Sequence, residues 1–581
     1  MNQRLFLYLL FPVLLLASCS SGKKTTTTPA PAAKNKKPLT EEERLNLQYI
    51  FVNANRDKIL GNYEKAADEF AQCIRIDGTN FASMYELAQI YRGAKKYSEA
   101  LFFAQSAAMG DPSNTWYRTF YADLLLDTRK LPEAEKEYGS LYKDYPDRID
   151  FGFSYAGTLL MNGKTQDAIK VYDEIEKQTG VTEELIREKQ RLYLKMGNVE
   201  KAAAEIEKLI QDDPQELRYY SMLTDLYQAN DMPDKALETI NRMKAIDPES
   251  PQVYLALAEY YRKTNQKEKS FEQLKLAFAS PQMDADVKIR IISSYLPLID
   301  GNPEMLAQGT ELGKILAETH PSNAIALAIY GDFLSMNMKF EEALKNYEAS
   351  LQIDPKNFTV WQQLFICQSQ INDYDGMLKY SEEALSLYPD QAIVYLFNGI
   401  ALNQKKDYAG AVKSFMSGSK IVVDNDDLMF RFYSGLGDCY NELKDYVESD
   451  NFYDKALKIY PDDAFVLNNY SYYLSERGEQ LDKAEKMSRH SNEIRPGQSS
   501  FEDTYAWILY KMEKYEDART WLQKALSHGG DSSGTILEHM GDVLYRLKDT
   551  TGAVDFWNKA KMAGGGSELL DKKIKDQKLY E

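Results

Sequence analysis

The stretch FRFYSGLGDCYNELKDYVESDNFYDKALKIYPDD, residues 430–463, reads as two short amphipathic helices joined by a turn. On the first helix, Leu436 and Gly437 share one face, and the missing side chain of Gly437 allows a second helix to come close. On the second helix, Ala456 supplies a small contact, and Pro461 ends the helix after one antiparallel pair. One such pair cannot bury both of its faces, so the stretch predicts neighbouring copies of itself.

The same spacing recurs along most of the chain. Prolines that close a pair recur mostly in steps of 34 residues: Pro112, Pro146, Pro214, Pro248, Pro321, Pro355, Pro389, Pro461 and Pro496. A small residue of the second helix follows the same period: Ala66, Ala100, Ala134, Ala168, Ala202, Ala236, Ala343, Ala411, Ala484, Ala518 and Ala553. This period resembles the tetratricopeptide repeat (TPR), which implies an all-α, right-handed superhelix (an α-solenoid) of about 14–15 helix-pair repeats.

The regularity of the period divides the chain. We expect an N-terminal TPR array over 41–284 and a C-terminal array over 324–567. Between them, residues 285–323 lack the signature, and Pro297 interrupts the first of two expected helices, so this stretch is either a degenerate repeat or a joint. Residues 568–581 are expected to form a helix that caps the last exposed apolar face.

The start of the sequence resembles an exported lipoprotein. Arg4 is the only charge before an apolar run at 5–17, which is too short to cross a bilayer as a helix and ends in LASC. This resembles a lipobox and implies a lipoprotein signal peptide at 1–18, a lipidated Cys19 and a disordered tether over 19–40. The alternative is a plain secretory signal with a chance cysteine.

The residues after Cys19 bear on location. Ser20 in place of an aspartate resembles the signal for outer-membrane delivery, and the tether contains lysines but no acidic cluster. We therefore expect a lipid anchor in the outer membrane, with the protein facing the periplasm.

Composition argues against several functions. The formal net charge is −18, whereas nucleic acids favour clustered basic residues, so no nucleic-acid partner is expected. Cys73, Cys367 and Cys439 are widely separated and no CxxC occurs. The four histidines form no HExxH motif, and neither G-x-S-x-G nor a phosphate-binding loop is present. We therefore expect no enzyme activity, no cofactor and no metal site.

Partner binding is expected on the first helices of the pairs, which line the concave side of a TPR superhelix. The helical register predicts a partner-binding groove near the C-terminus at Asn468, Tyr472, Asp503, Trp507 and Tyr510. A second candidate groove lies near the N-terminus at Tyr85, Gln89, Arg92, Trp116 and Asp123. Amide and carboxylate groups can bind a peptide backbone, and aromatic rings can anchor it. The alternative is that these aromatic side chains pack in the core.

A closer resemblance lies at residues 468–526, NNYSYYLSERGEQLDKAEKMSRHSNEIRPGQSSFEDTYAWILYKMEKYEDARTWLQKAL. This stretch, with N-Y-x-x-Y-L-x-x-R-G, then L-D-x-A and A-W-x-L-Y, is similar to a pattern of long TPR lipoproteins of Gram-negative outer membranes. One type in that family is LbcA-like, the lipoprotein binding partner of the carboxyl-terminal processing protease. The resemblance implies an adaptor that presents cell-wall hydrolases to a processing protease.

The sequence thus predicts a non-catalytic periplasmic scaffold that binds proteins in its TPR groove. The main alternative is a structural subunit of an outer-membrane assembly or secretion complex, bound to a membrane barrel. A glycan-capture lipoprotein of the SusD type is a further alternative, although such proteins carry long loop insertions that this chain lacks.

Overall fold

The computed structural model describes residues 38–580, and all regular structure in that range is helical. Signal peptide, Cys19 and nearly all of the tether lie outside the described residues. The helices of the first part are α1 (Glu41–Ile59), α2 (Tyr63–Ile76), α3 (Phe81–Gly93), α4 (Tyr97–Gly110), α5 (Thr115–Asp127), α6 (Leu131–Asp144), α7 (Ile149–Met161), α8 (Thr165–Thr179), α9 (Glu183–Lys195) and α10 (Val199–Asp212).

The remaining helices continue the series. They are α11 (Leu217–Ala229), α12 (Pro233–Ile246), α13 (Pro251–Lys263), α14 (Lys267–Ala279), α15 (Ala285–Ser293), α16 (Pro303–Thr319), α17 (Ala324–Met336), α18 (Phe340–Ile353), α19 (Phe358–Gln370), α20 (Tyr374–Leu387), α21 (Ala392–Gln404), α22 (Tyr408–Ser419), α23 (Asp426–Glu442), α24 (Tyr446–Ile459), α25 (Ala464–Arg477), α26 (Leu481–Ile494), α27 (Ser499–Lys511), α28 (Tyr515–Ser527), α29 (Gly534–Arg546), α30 (Thr550–Met562) and α31 (Leu570–Asp576).

Taken two at a time in chain order, α1–α30 make fifteen pairs, followed by α31. This confirms the predicted all-α tandem array and its number of repeats. The eleven alanines that follow the 34-residue period are all fully buried, so the period records the contact between paired helices. Gly437 also has its predicted role, because a Cβ there would lie 2.9 Å from the ring of Tyr453.

The turn inside each pair has a recurring backbone conformation. In thirteen pairs the second residue after the first helix has a positive φ, which L-residues adopt at a cost. Three of these residues are glycines, Gly61, Gly163 and Gly197. The other ten are Lys95, Arg129, Asp231, Asn265, Met338, Asn372, Lys406, Lys444, Glu513 and Lys548.

The chain forms two compact units, one up to Tyr219 and one from Tyr220. In the first unit a large core cluster is centred on α6, α7 and α8, with Tyr138, Leu141 and Ile175 among its buried side chains. The second unit holds a succession of core clusters from α14 to Leu579.

The irregular stretch 285–323 lies within the second unit. Its first helix, α15, ends at Ser293, and a short 3-10 turn at Leu296–Leu298 contains Pro297. Helix α16 contacts α14 as well as α15, so the stretch remains packed against the preceding repeat. Its role as a joint stays a prediction.

The last helix, α31, covers the final pair through a buried lysine. Lys573 Nζ lies 2.8 Å from Glu538 Oε1 and 2.7 Å from Asp542 Oδ2, and all three side chains are almost wholly buried. Because a buried charge is costly unless it is paired, this cluster fixes the position of α31 on α29. Asp542 also accepts a hydrogen bond of 2.8 Å from the indole nitrogen of Trp557.

Candidate partner-binding cleft

In the second unit, the first helices of successive pairs contact one another directly, from α21 through α23, α25 and α27 to α29. Their shared surface, here called the first-helix face, is the side on which the repeat register predicts partner binding. The five helices place equivalent repeat positions side by side. Differences in side-chain size at these positions therefore decide where the surface is open.

A cleft of about 640 Å³ opens on this face across α21, α23 and α25, and it reaches the end of α19. We call it the α21–α25 cleft. Its lining residues are Ser369, Leu396, Phe397, Ile400, Asn403, Gln404, Phe415, Asp427, Phe430, Arg431, Ser434, Gly435, Asp438, Tyr453, Asp463, Phe465, Val466 and Asn469.

The cleft combines apolar walls with amide groups. Phe465 exposes 52% of its surface although it is a large aromatic residue, and it packs edge-on against Phe501. Gln404 and Asn469 are exposed and carry both donors and acceptors. Arg431 and Asp427 form an exposed ion pair of 3.1 Å. An extended peptide needs this combination, because its backbone must form hydrogen bonds while its side chains leave water.

Asp438 is one of three aspartates that line the cleft. Its carboxylate accepts a short hydrogen bond from the hydroxyl of Tyr453. Burial raises the pKa of Asp438 to about 6, and the nearby Glu442 adds to the rise, whereas the hydrogen bonds from Tyr453 and Tyr473 oppose it. The charge of the cleft therefore changes in mildly acidic solution.

The same face is closed at α27 and α29. The indole of Trp507 stacks on the imidazole of His539 at 4.0 Å and on the ring of Tyr510 at 4.7 Å. Its Nε1 donates a hydrogen bond of 2.7 Å to Glu476 Oε1. In α27, every residue from Phe501 to Tyr510 is buried. We call Trp507, Tyr510, His539 and Asp503 the aromatic block.

A buried ion pair holds the aromatic block together. His539 Nδ1 lies 2.9 Å from Asp503 Oδ1, and both residues are almost wholly buried. Burial by itself lowers the pKa of His539, but the charge and hydrogen bond of Asp503, with smaller contributions from Asp542 and Glu476, raise it above its ordinary value. The imidazolium form is therefore more stable in the aromatic block than in an ordinary histidine.

The residues of the predicted C-terminal groove lie in and around the aromatic block. Asn468, Asp503, Trp507 and Tyr510 each expose less than a tenth of their surface, and Tyr472 is half-buried against the aromatic block. Burial raises the pKa of Tyr472 to about 12, and the charges of Glu476 and Asp503 add to the rise. The predicted residues lie on the expected first helices, and side chains of neighbouring repeats cover most of their surface. Contact of these five residues with a partner stays a prediction.

The N-terminal candidates mostly bond within the first unit. Tyr85 packs on the ring of Tyr117 at 5.0 Å, and Gln89 Oε1 accepts a hydrogen bond of 2.7 Å from Lys58. Arg92 lies 2.8 Å from Asp127.

The other two N-terminal candidates, Asp123 and Trp116, differ in how far their side chains are engaged within the chain. Asp123 accepts a short hydrogen bond from the hydroxyl of Tyr138. Trp116, in contrast, exposes 77% of its surface. Of the second candidate groove, Trp116 is thus the residue most accessible to a partner.

The Asp123–Tyr138 bond is one example of a recurring hydrogen bond within the helix pairs that the sequence analysis did not predict. An aspartate of the first helix accepts a hydrogen bond from an aromatic residue of the second helix fifteen positions later. The pairs are Asp123–Tyr138, Asp332–Tyr347, Asp438–Tyr453 and Asp542–Trp557. The constant spacing was a signal in the sequence, and it assigns these aspartates to the stability of the repeat.

Two searches of the described residues concern other kinds of site. Between residues 38 and 580, no three His, Cys, Asp or Glu side chains meet in a way that could hold a metal ion. Over the same range, no helix has the length and apolar character needed to cross a membrane.

Comparison with known families identifies the repeats. Profiles described as tetratricopeptide repeat match residues 122–180, 193–260, 430–463 and 452–486. Together with the fifteen helix pairs, these matches define a protein built from tetratricopeptide repeats.

The similar proteins share parts of this array. A TPR repeat-containing protein of Pseudomonas aeruginosa is 26% identical over 162 residues, which are 28% of this chain and 26% of that protein. One of Methanocaldococcus jannaschii is 26% identical over 33% of this chain and 34% of its own length. The NatA auxiliary subunit N-alpha-acetyltransferase 16 of mouse is 31% identical over 15% of this chain and 10% of that subunit. The matched parts thus span from a tenth to about a third of these relatives.

Two solved structures are similar over most of the chain at low identity. The APC/C hetero-tetramer Cut9–Hcn1 covers 91% of this chain, with 90% of its own chain matched, 14% identity and a TM-score of 0.35. Naa15/Naa10 bound to HypK-THB covers 92% of this chain, with 96% of its own chain matched, 13% identity and a TM-score of 0.31. Similarity at this level carries no argument about function.

Proposed function

We propose that this protein is a non-catalytic scaffold that holds an extended segment of a partner protein in the α21–α25 cleft. The observation that carries the proposal is the cleft itself, an opening of about 640 Å³ on the first-helix face. Farther along the same face, at α27 and α29, side chains of neighbouring repeats fill the corresponding space.

The chemistry of the cleft suits a peptide. Phe465 provides an aromatic wall that the chain leaves 52% exposed, and covering such a ring stabilises a complex by up to about 2 kcal/mol. Asn403, Gln404 and Asn469 can bond to peptide amides without requiring a particular side chain. This arrangement favours a segment that is extended and partly apolar.

The proposed setting comes from the sequence. We infer that Cys19 carries the lipid, that the anchor lies in the outer membrane and that the scaffold faces the periplasm. The resemblance at residues 468–526 supports an adaptor role toward a carboxyl-terminal processing protease and its cell-wall hydrolase substrates. Lipid anchoring would raise the effective concentration of partners at the membrane.

Site-specific photocrosslinking tests the cleft. A benzophenone amino acid replaces Phe465 in one sample and Val447 in the other, since Val447 on α24 is also exposed, at 77%. After irradiation of native membranes, mass spectrometry identifies the adducts. We expect partner peptides at position 465 and none at 447; equal labelling at both positions would refute the cleft as the binding site.

The identity of the adducts separates the two kinds of scaffold. Exchangeable soluble proteins, such as a processing protease and cell-wall hydrolases, support the adaptor. A single barrel protein in constant stoichiometry supports a structural subunit of an outer-membrane complex.

A further inference from the structure

The first helix of the array has an exposed apolar stripe. Four large side chains of α1 are mostly exposed: Leu45 by 62%, Tyr49 by 70%, Val52 by 65% and Ile59 by 85%. On the opposite side of the helix, Ala54 is fully buried against α2. An apolar end face is unusual for a solenoid, whose terminal repeats ordinarily present a polar outer surface.

The stripe has the spacing of a helix–helix seam. Residues 45, 49, 52, 56 and 59 follow one another in steps of four and three, which keeps them on one side of a helix as in a coiled coil. Arg56 occupies the one charged position of this series, and its side chain exposes 58% of its surface, with Asp57 3.4 Å away. We call these five residues the α1 seam.

The charges along α1 are complementary to those of a second copy of α1 that runs antiparallel to it. Its first turn carries Glu41, Glu42 and Glu43, and its last turn carries Arg56 and Lys58. Glu42 lies seven residues before Tyr49 and Arg56 lies seven residues after it. In an antiparallel pair of α1 helices centred on Tyr49, each Glu42 therefore meets the Arg56 of the other copy.

Apolar side chains of the two helices lie next to each other in the same alignment. Leu45 of one helix then lies opposite Asn53 of the other, beside Val52, and the two Tyr49 rings face each other across the axis. A contact of this kind is isologous, because one surface pairs with itself through a twofold axis.

We propose that the α1 seam is a self-association surface, and that two copies of this chain pair through antiparallel α1 helices about Tyr49. The proposal is independent of the α21–α25 cleft. A lipid surface is a different occupant of the same stripe, and the three glutamates of the first turn disfavour it because anionic headgroups would repel them.

Charge exchange tests the alignment. The purified full chain is compared with Glu42→Lys, Arg56→Glu and the double variant by sedimentation equilibrium at about 50 μM and low salt. Each single change puts like charges opposite each other, so we expect dimer affinity to fall about threefold to tenfold. The double variant restores both pairs and should return to the parent affinity.

Arg44→Glu is the matched control. Arg44 is exposed on α1, but it precedes Leu45 by one residue and so points about 100° away from it. We expect this change to leave dimer affinity near that of the parent. Circular dichroism melting of every variant checks that α1 remains folded.

Disulfide crosslinking between introduced cysteines tests whether the two α1 helices are antiparallel. Leu45→Cys and Asn53→Cys chains are prepared separately, with the parent chain as the control for its own cysteines. Mixing the two should give a disulfide-linked dimer on oxidation, whereas either alone should give no more than the parent. Crosslinking of Leu45→Cys with itself would indicate parallel helices and overturn the proposal.

Other results would overturn it too. A parent chain that is monomeric at this concentration, or a dimer that no seam substitution changes, removes the basis for the surface. Flotation with vesicles of phosphatidylglycerol, lost on Val52→Asp in a chain that stays monomeric, would assign the stripe to the membrane.

Discussion

The α21–α25 cleft and the aromatic block occupy the same repeat positions a few helices apart. At the inward-facing positions of α21 and α23 the side chains are Leu396, Ile400, Ser434 and Asp438, and a cleft remains. At the corresponding positions of α27 stand Asp503 and Trp507, and the space is filled. Repeat register thus fixes the direction of a side chain, whereas the volume of its neighbours fixes whether the surface is open to a partner.

The largest expected difference concerns stability. Trp507→Ala removes a buried ring with two stacked neighbours, so we expect the free energy of unfolding to fall by about 3–5 kcal/mol. Phe465→Ala removes a half-exposed ring and should cost about 1 kcal/mol or less. Urea unfolding of both variants measures the contrast, and equal losses would contradict the distinction between the open and closed regions.

A large side chain placed in the cleft should close it, as the aromatic block closes the surface at α27. Gln404 is exposed at the rim, so Gln404→Trp can add an indole without displacing the core. We expect photocrosslinking at position 465 to fall about tenfold while the melting temperature stays unchanged. Gln404→Ala, which keeps the cleft open, is the control and should retain most of the labelling.

The aromatic block should respond to pH through His539. Its pKa is raised on folding above the ordinary 6.5, so the stabilisation is fully present below about pH 6.5 and is lost as pH rises through the folded pKa. His539→Gln should flatten the loss of stability that the parent shows above about pH 6.5. His490→Gln is the control, because it removes a half-exposed histidine that pairs with Asp462 outside the aromatic block.

The cleft should show a smaller pH effect through Asp438. Because its pKa is raised to about 6 in the folded chain, the stability that it contributes is present below its unfolded pKa near 3.8 and falls as pH rises through about 6. Asp438→Asn keeps an acceptor for Tyr453 and cannot ionise, so unfolding midpoints should no longer fall between pH 4 and 6. A variant that keeps the parent's slope would assign the titration to another group.

The fold could be predicted from the sequence because the strongest sequence signal is local and repeated. Each buried alanine and each closing proline lies within one 34-residue unit, and the unit needs only its neighbours to pack. The openness of the first-helix face has no such signal. Trp507 is covered by Glu476, 31 residues before it, and His539, which pairs with Asp503 36 residues away. These contacts cross repeats, and no single motif contains both partners.

The position of the cleft could nevertheless have been predicted from the repeat register. The signature stretch that predicts the fold also contains Ser434 and Asp438, which line the cleft, but aromatic side chains drew the prediction to Trp507 instead. A search for small inward-facing residues between larger ones would have favoured α21–α25. Rings on an inward face indicate a binding site only where nothing nearby is large enough to cover them.

The positive-φ turns within the helix pairs affect local unfolding of the array. Ten of these turns hold an L-residue and three hold glycine. The left-handed conformation costs an L-residue about 1 kcal/mol, and this cost is partly offset because glycine loses more conformational freedom on folding. In a solenoid each repeat interacts chiefly with its neighbours, so a change such as Lys444→Gly acts on one repeat alone. The turns are therefore separate positions at which local unfolding, and with it amide hydrogen exchange, can vary along the chain while every binding surface stays the same.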